Sequence, residues 1–166
     1  MFVFSERHKV VNALVPAEQT DAAHTTDIVH MENYKKCTFL VITGAAALNI
    51  PTITVLAGVD NVTCATPIVF KYRTQIAAVP PAQGSDVSTT LTDATIAGFP
   101  ITTNLAGGVY IIEVDAAVVA AAGANFDHCA LLMTQSGVTH AVHNYCIVAI
   151  LSEPRYPQGI LVTAID

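Results

Sequence analysis

The chain has 166 residues, of which 52% are hydrophobic and only 12% are charged, and its formal net charge is −6. This length favours one domain with a hydrophobic core that needs neither disulfides nor metal ions. The hydrophobic content excludes intrinsic disorder, and seven basic against thirteen acidic residues argue against nucleic-acid binding. Soluble domains carry about 25% charged residues, so the chain must either contact lipid or bury much of its surface against protein.

The lipid interpretation rests on residues 37–59, an uncharged run long enough to span a bilayer. Gly44, Asn49 and Pro51 interrupt this run, and its two halves are rich in β-branched residues, which favours two strands joined by a loop. A second uncharged run, 128–152, contains three histidines that would be costly in lipid. We therefore expect no membrane span.

The N-terminal sequence has no apolar core of a secretory signal, because the four residues 1–4 are followed by the polar and charged segment 5–9 (SERHK). We expect the chain to be made in a cytoplasm and not secreted. Its four cysteines are widely spaced and form no CxxC pair, so we expect buried free thiols, at Cys37, Cys64, Cys129 and Cys146.

The first half of the chain reads as strands separated by loops. A first strand over 8–15 is expected to stop at Pro16, and the composition of 16–27 is that of a loop. Residues 34–43 form the first convincing strand, and because both of its faces are apolar towards the end, we expect both faces to be covered. Further strands are expected over 52–59 and 66–73, with a turn at Asp60 between them.

In the second half, a long loop over 75–84 leads to two weak strands, over 87–91 and 99–103, and then to strong strands over 109–114, 128–135 and 140–152. One short helix is plausible at 115–122. There Asp115 can act as the N-cap and Gly123 can end the helix.

Seven to nine short strands at roughly ten-residue spacing predict an all-β fold, an antiparallel β-sandwich or barrel, with at most one short helix near 115–122. We expect a single domain over 1–166, with an N-terminal arm at 1–7 and a C-terminal tail at 154–166. Aromatic side chains within strands are expected to fill the core, namely Phe39, Phe70, Tyr110 and Tyr145.

The candidate chemistry lies in the C-terminal third, where His140, His143 and Cys146 follow one another at three-residue spacing and His128 and Cys129 lie upstream. Imidazole and thiolate are preferred zinc ligands. A strand, however, would place His143 on the face opposite to His140 and Cys146, so surface histidines with a core cysteine are the competing interpretation. A thiol nucleophile would need an electropositive setting that no local motif supplies. We expect no cofactor and no enzymatic activity.

Four segments resemble small virion proteins of tailed bacteriophages: residues 33–46 (NYKKCTFLVITGAA), 66–73 (TPIVFKYR), 110–116 (YIIEVDA) and 149–158 (AILSEPRYPQ). The resemblance implies a structural role, most plausibly a capsid decoration or cement protein with a jelly-roll-like sandwich, often trimeric. It brings no catalytic residues to transfer. The implied partners are further copies of the chain and the major capsid protein, and the implied location is the capsid surface.

Two alternatives stay open at this point: a neck, tail or adhesion component that binds a receptor, and a metal- or thiol-dependent enzyme. Hydrophobic chain ends gain little in a monomer, which makes them candidate contacts with partners. The partner-binding residues expected on this ground are Phe2, Phe4, Arg155, Tyr156, Ile160 and Leu161.

Overall fold

A computed structural model describes residues 4–19, 23–46, 51–75, 88–101, 108–135, 143–155 and 164–165. Twelve strands are described, and two short helices accompany them, α1 (Phe4–Arg7) and α2 (Ala116–Ala121). The strands are β1 (Lys9–Gln19), β2 (Ala23–Thr25), β3 (Val29–His30), β4 (Tyr34–Ala46), β5 (Pro51–Gly58), β6 (Cys64–Ile68), β7 (Phe70–Gln75), β8 (Thr92–Ala94), β9 (Phe99–Pro100), β10 (Val109–Asp115), β11 (His128–Gln135) and β12 (His143–Pro154). Among the described residues, no helix has the length and hydropathy to cross a membrane.

The strands form two sheets in which all pairs are antiparallel. The first sheet has the order β1-β12-β4-β10-β7-β8. The second has the order β2-β11-β5-β6, with β3 added beside β11 and β9 beside β5. The predicted all-β antiparallel sandwich is confirmed.

Eight strands of the sandwich follow a jelly-roll order, in which successive strands change sheet except for β5 and β6, which are neighbours in the second sheet. These strands are β1, β2, β4, β5, β6, β10, β11 and β12. Numbered one to eight along the chain, they give 1-8-3-6 in the first sheet and 2-7-4-5 in the second. A jelly roll is one of the ways in which antiparallel strands bury an apolar face on both sides of one core.

The core lies between the sheets and is built from alternate residues of each strand. On β4, the side chains of Cys37, Phe39 and Val41 are fully buried, and Ile53 and Val55 of β5 in the second sheet belong to the same cluster. The four strand aromatics that were expected in the core are all buried there, namely Phe39, Phe70, Tyr110 and Tyr145.

The prediction that the first strand stops at Pro16 is wrong. β1 continues to Gln19, and its register with β12 shifts between Asn12 and Leu14 and again between Leu14 and Ala17. Proline has no N–H to donate to a neighbouring strand. Because β1 is an edge strand with an irregular register at this point, the missing hydrogen bond costs little. The segment 16–27, which was expected to be a loop, therefore contains the end of β1 and the whole of β2.

The strand predicted over 66–73 is in fact two strands that lie in different sheets. β6 belongs to the second sheet and β7 to the first, and the chain passes between them at Val69 alone. Ile68 and Phe70 are both buried on either side of this crossing. The weak strand expected over 87–91 is misplaced, because β8 begins at Thr92.

Helix α2 forms where it was expected. Asp115 is its N-cap, with extended backbone angles, and its Oδ1 accepts a hydrogen bond from the N–H of Ala117 at 2.7 Å. The helix ends at a C-cap of right-handed conformation, Ala122, before Gly123 is reached. A Cβ at Gly123 would lie 2.8 Å from the ring of Phe126, so a larger residue there would require that ring to move.

We expect Asp115→Ala to lower the free energy of unfolding by about 1 kcal/mol, because it removes the side-chain acceptor at the helix N-terminus. For a domain of this size, the melting temperature should fall by about 2–4 °C. Asp93→Ala is the matched control. It deletes an exposed ion pair with Lys71, and such pairs contribute little. Equal losses in the two variants, measured by thermal denaturation, would contradict the capping role.

Candidate functional site

The structure describes two of the six terminal residues that were expected to contact partners. Phe4 lies in α1 with 55% of its surface exposed, and its ring stacks on that of His8 at 4.3 Å. Arg155 is exposed at the end of β12, and its N–H donates to the carbonyl of Asn33 at 2.9 Å. The other four named residues lie outside the described part of the chain, namely Phe2, Tyr156, Ile160 and Leu161.

One residue of the predicted C-terminal tail, Ala164, packs into the core of the sandwich. Ala164 is completely buried and belongs to the main core cluster. Its carbonyl accepts a hydrogen bond from the N–H of His30 at 2.9 Å. At this position the tail is therefore part of the sandwich and offers no side chain to a partner.

A group of apolar side chains lies on the outer face of the first sheet. Leu40 of β4 is paired with Val148 of β12 and with Ile111 of β10. In the neighbouring row, Ile42 is paired with Cys146 and with Val109. Residues paired in this way share one face of the sheet. These six residues are named here the apolar band: Leu40, Ile42, Val109, Ile111, Cys146 and Val148.

The apolar band is only partly covered by its own chain. Ile42 is 42% exposed, and the other five side chains are intermediate in exposure. The expectation that both faces of 34–43 are covered is therefore wrong at Ile42. The inner face of β4 is sealed by the core, whereas the outer face is left partly open.

Charged residues border the apolar band on the side of β7. Arg73 lies opposite Ile111, and Lys71 lies opposite Glu113. The ammonium of Lys71 bonds the carboxylate of Asp93 at 2.5 Å, and Arg73 donates to the carbonyl of Thr89 at 3.3 Å. The band is thus an uncharged patch with a mixed-charge rim, which is the composition of a protein contact surface.

The edges of the first sheet are less suited to contacts with other chains. β1 forms one edge and is irregular in register around Pro16. β8 forms the other edge and has only three residues. Irregular, proline-containing or very short edge strands discourage the addition of a further strand. A partner would therefore meet the face of this sheet more readily than its edges.

A cleft of about 720 Å³ opens between β7, β8, β10 and α2. Its charged lining is largely paired, since Lys71 bonds Asp93 and Lys36 bonds Glu153 at 3.2 Å. Among the described residues, its lining includes neither the cysteine nor the histidine that a thiol nucleophile and its base would need.

The four cysteines form no disulfides, and three of them are buried. Burial raises the pKa of the Cys64 thiol to about 12, and the neighbouring Cys129 adds to this effect. The pKa of Cys129 is raised by its hydrogen bond with Cys37 and by complete burial. Only Cys146, on the apolar band, is partly exposed. With raised pKa values, the thiols of Cys64 and Cys129 stay protonated at neutral pH and are not activated nucleophiles.

The zinc ligands proposed from sequence are described only in part. Cys146 points to the outer face of the first sheet, in register with Ile42. His143 begins β12, but its side chain and the whole of His140 lie outside the described part of the chain.

Sequence reasoning missed a different cluster, which is formed by His30, Asp127 and His128. His30 of β3 lies opposite His128 of β11, and their rings stack with centroids 4.3 Å apart and planes 2° apart. Asp127 bridges the two rings, with Oδ1 at 2.5 Å from His128 Nδ1 and Oδ2 at 3.4 Å from His30 Nε2. In the sequence, only Asp127 and His128 of this cluster are adjacent. His30 is brought to them by the pairing of β3 with β11, which the local sequence does not show.

Comparisons with known protein families, curated proteins and solved structures found no match. The function of the chain therefore has to be argued from its own geometry.

We expect iodoacetamide to alkylate Cys146 rapidly in the native protein at pH 8 and to leave Cys37, Cys64 and Cys129 unmodified. With a pKa of about 12, only about one Cys64 thiol in ten thousand is ionised at that pH, and the thiolate is the reactive form. Mass spectrometry should show one label per native chain and four after denaturation. Rapid native labelling of Cys64 would contradict the burial described here.

Proposed function

We propose that the chain is a structural virion protein of a tailed bacteriophage, a decoration protein that binds and stabilises the head shell as a homotrimer. The observation that carries the proposal is the apolar band, which lies on the outer face of the first sheet and is bordered by charged residues on the side of β7. The proposal assigns this band to contact with the major capsid protein.

The energetics of the band suit such a contact. Burying apolar surface contributes about 25 cal/mol per Å², and complete burial of one Leu, Ile or Val contributes about 1.5–3 kcal/mol relative to exposure. Stable contacts bury about 800 Å² on each partner. The band can supply the apolar centre of such an area, and the mixed charges of Lys71, Arg73 and Glu113 can orient the contact at its rim.

The fold and the composition also support the proposal. Jelly rolls occur in viral capsid proteins and in lectins, although a fold alone does not determine a function. A charged fraction of 12% suits a chain whose surface is covered by its own copies and by a shell. Closed symmetry, as in a trimer, would hide part of that surface.

We expect the purified chain to co-sediment with shells assembled from the major capsid protein of the same genome. Ile42→Lys should weaken this binding at least tenfold, because it places a charge in the centre of the band, and a tenfold change corresponds to about 1.4 kcal/mol. Val62→Lys is the matched control, since Val62 is 83% exposed in the turn after β5.

Light scattering should give a trimer for the wild type and for both variants. A monodisperse monomer that stays in the supernatant would overturn the proposed function. Equal loss of binding in Ile42→Lys and Val62→Lys would overturn the assignment of the contact to the band. Immunogold labelling of tails instead of heads would favour the neck, tail or adhesion alternative.

A further inference from the structure

We propose that the outer face of the second sheet carries a binding site for a single zinc-type transition-metal ion. His30, Asp127 and Glu32 are its protein ligands, and His128 holds Asp127 in place. This inference concerns a different face from the proposed shell contact and does not depend on it.

The backbone around the site is fixed by hydrogen bonds from three directions. The N–H of Met31 donates to the carbonyl of Asp127 at 2.7 Å, and the N–H of Asp127 donates to the carbonyl of Gly58 at 3.2 Å. The N–H of His30 is bonded to the carbonyl of Ala164. The Cα positions of His30 and Asp127 are therefore set by the sheet, which favours a preorganised site.

The distances between donor atoms suit a tetrahedral ion. Ligand atoms at about 2.1 Å from a tetrahedral zinc ion lie about 3.4 Å from each other. His30 Nε2 lies 3.4 Å from Asp127 Oδ2 and 3.6 Å from Glu32 Oε2. Potential ligand atoms of His30, Asp127 and His128 all lie within 4.8 Å of one another. The side chain of Glu32 is 66% exposed, so it can adjust its position to complete a third ligand, and water can fill the remaining position.

The stacking of the two rings decides which histidine binds the ion. An imidazole nitrogen binds a metal in the plane of its ring, and the ring planes of His30 and His128 are only 2° from parallel. One ion cannot lie in both planes. His128 Nδ1 instead donates to Asp127 Oδ1 at 2.5 Å, and such a hydrogen bond from a second residue orients a ligating carboxylate.

The charge distribution favours a cation at this position. The carboxylates of Asp127 and Glu32 both lie within 3.6 Å of His30 Nε2, while Lys36 and Lys71 are paired elsewhere, with Glu153 and Asp93. The side chains of His30 and His128 are 20% and 7% exposed, so an ion at their edge is partly shielded from water and still accessible from solvent.

The test is isothermal titration of the full-length chain with ZnCl2. We expect one ion per chain, and His30→Ala and Asp127→Asn should each weaken binding at least tenfold, which is the scale of losing a ligand or its support. His8→Ala is the matched control, because it removes a histidine far from the cluster and should leave the affinity unchanged. Circular dichroism and the melting temperature of the metal-free variants establish that they fold.

His128→Asn separates the roles of the two histidines. Asparagine keeps an N–H donor near the position of Nδ1, so it should restore most of the affinity that His128→Ala loses. If His128→Asn binds no better than His128→Ala, the positioning role is wrong. The site itself is overturned if the chain binds no zinc, or if zinc binding survives in folded His30→Ala and is lost in the double variant His143→Ala, Cys146→Ala.

Discussion

The core of the sandwich and the apolar band of the first sheet both depend on the central position of β4. This strand of 13 residues is paired with β12 on one side and with β10 on the other. Its backbone is therefore occupied on both sides, and only its two faces remain available. One face, with Phe39 at its centre, seals the core. The other carries Leu40 and Ile42, so the uncovered apolar surface lies at the middle of the sheet, where contact with a flat partner surface is geometrically simplest.

The parts of the fold that follow from local sequence could be predicted. β4, β5 and β10 are rich in β-branched residues, and β11 contains a continuous apolar run, and these patterns predict the strands because burial follows them. The N-cap at Asp115 could also be predicted, since it needs only a carboxylate and the next turn of the helix.

The remaining features depend on pairing between distant segments, which a local pattern does not contain. Pro16 is tolerated because β1 is an edge strand, and the sequence around it does not specify an edge. Residues 66–73 alternate without interruption, yet Val69 divides them between two sheets. The candidate metal site needs β3 beside β11, so neither His30 nor Asp127 was informative alone. The residues of the apolar band could be recognised as hydrophobic in the sequence. The sequence did not show that their side chains are partly exposed, because both faces of β4 are apolar towards its end.

The passage of β6 into β7 has a mechanical consequence. Only Val69 separates a strand of one sheet from a strand of the other. The two layers therefore cannot slide past each other at this corner without breaking the pairing of β6 or β7. Such a movement would also expose the buried side chains of Ile68 and Phe70 on either side of the junction.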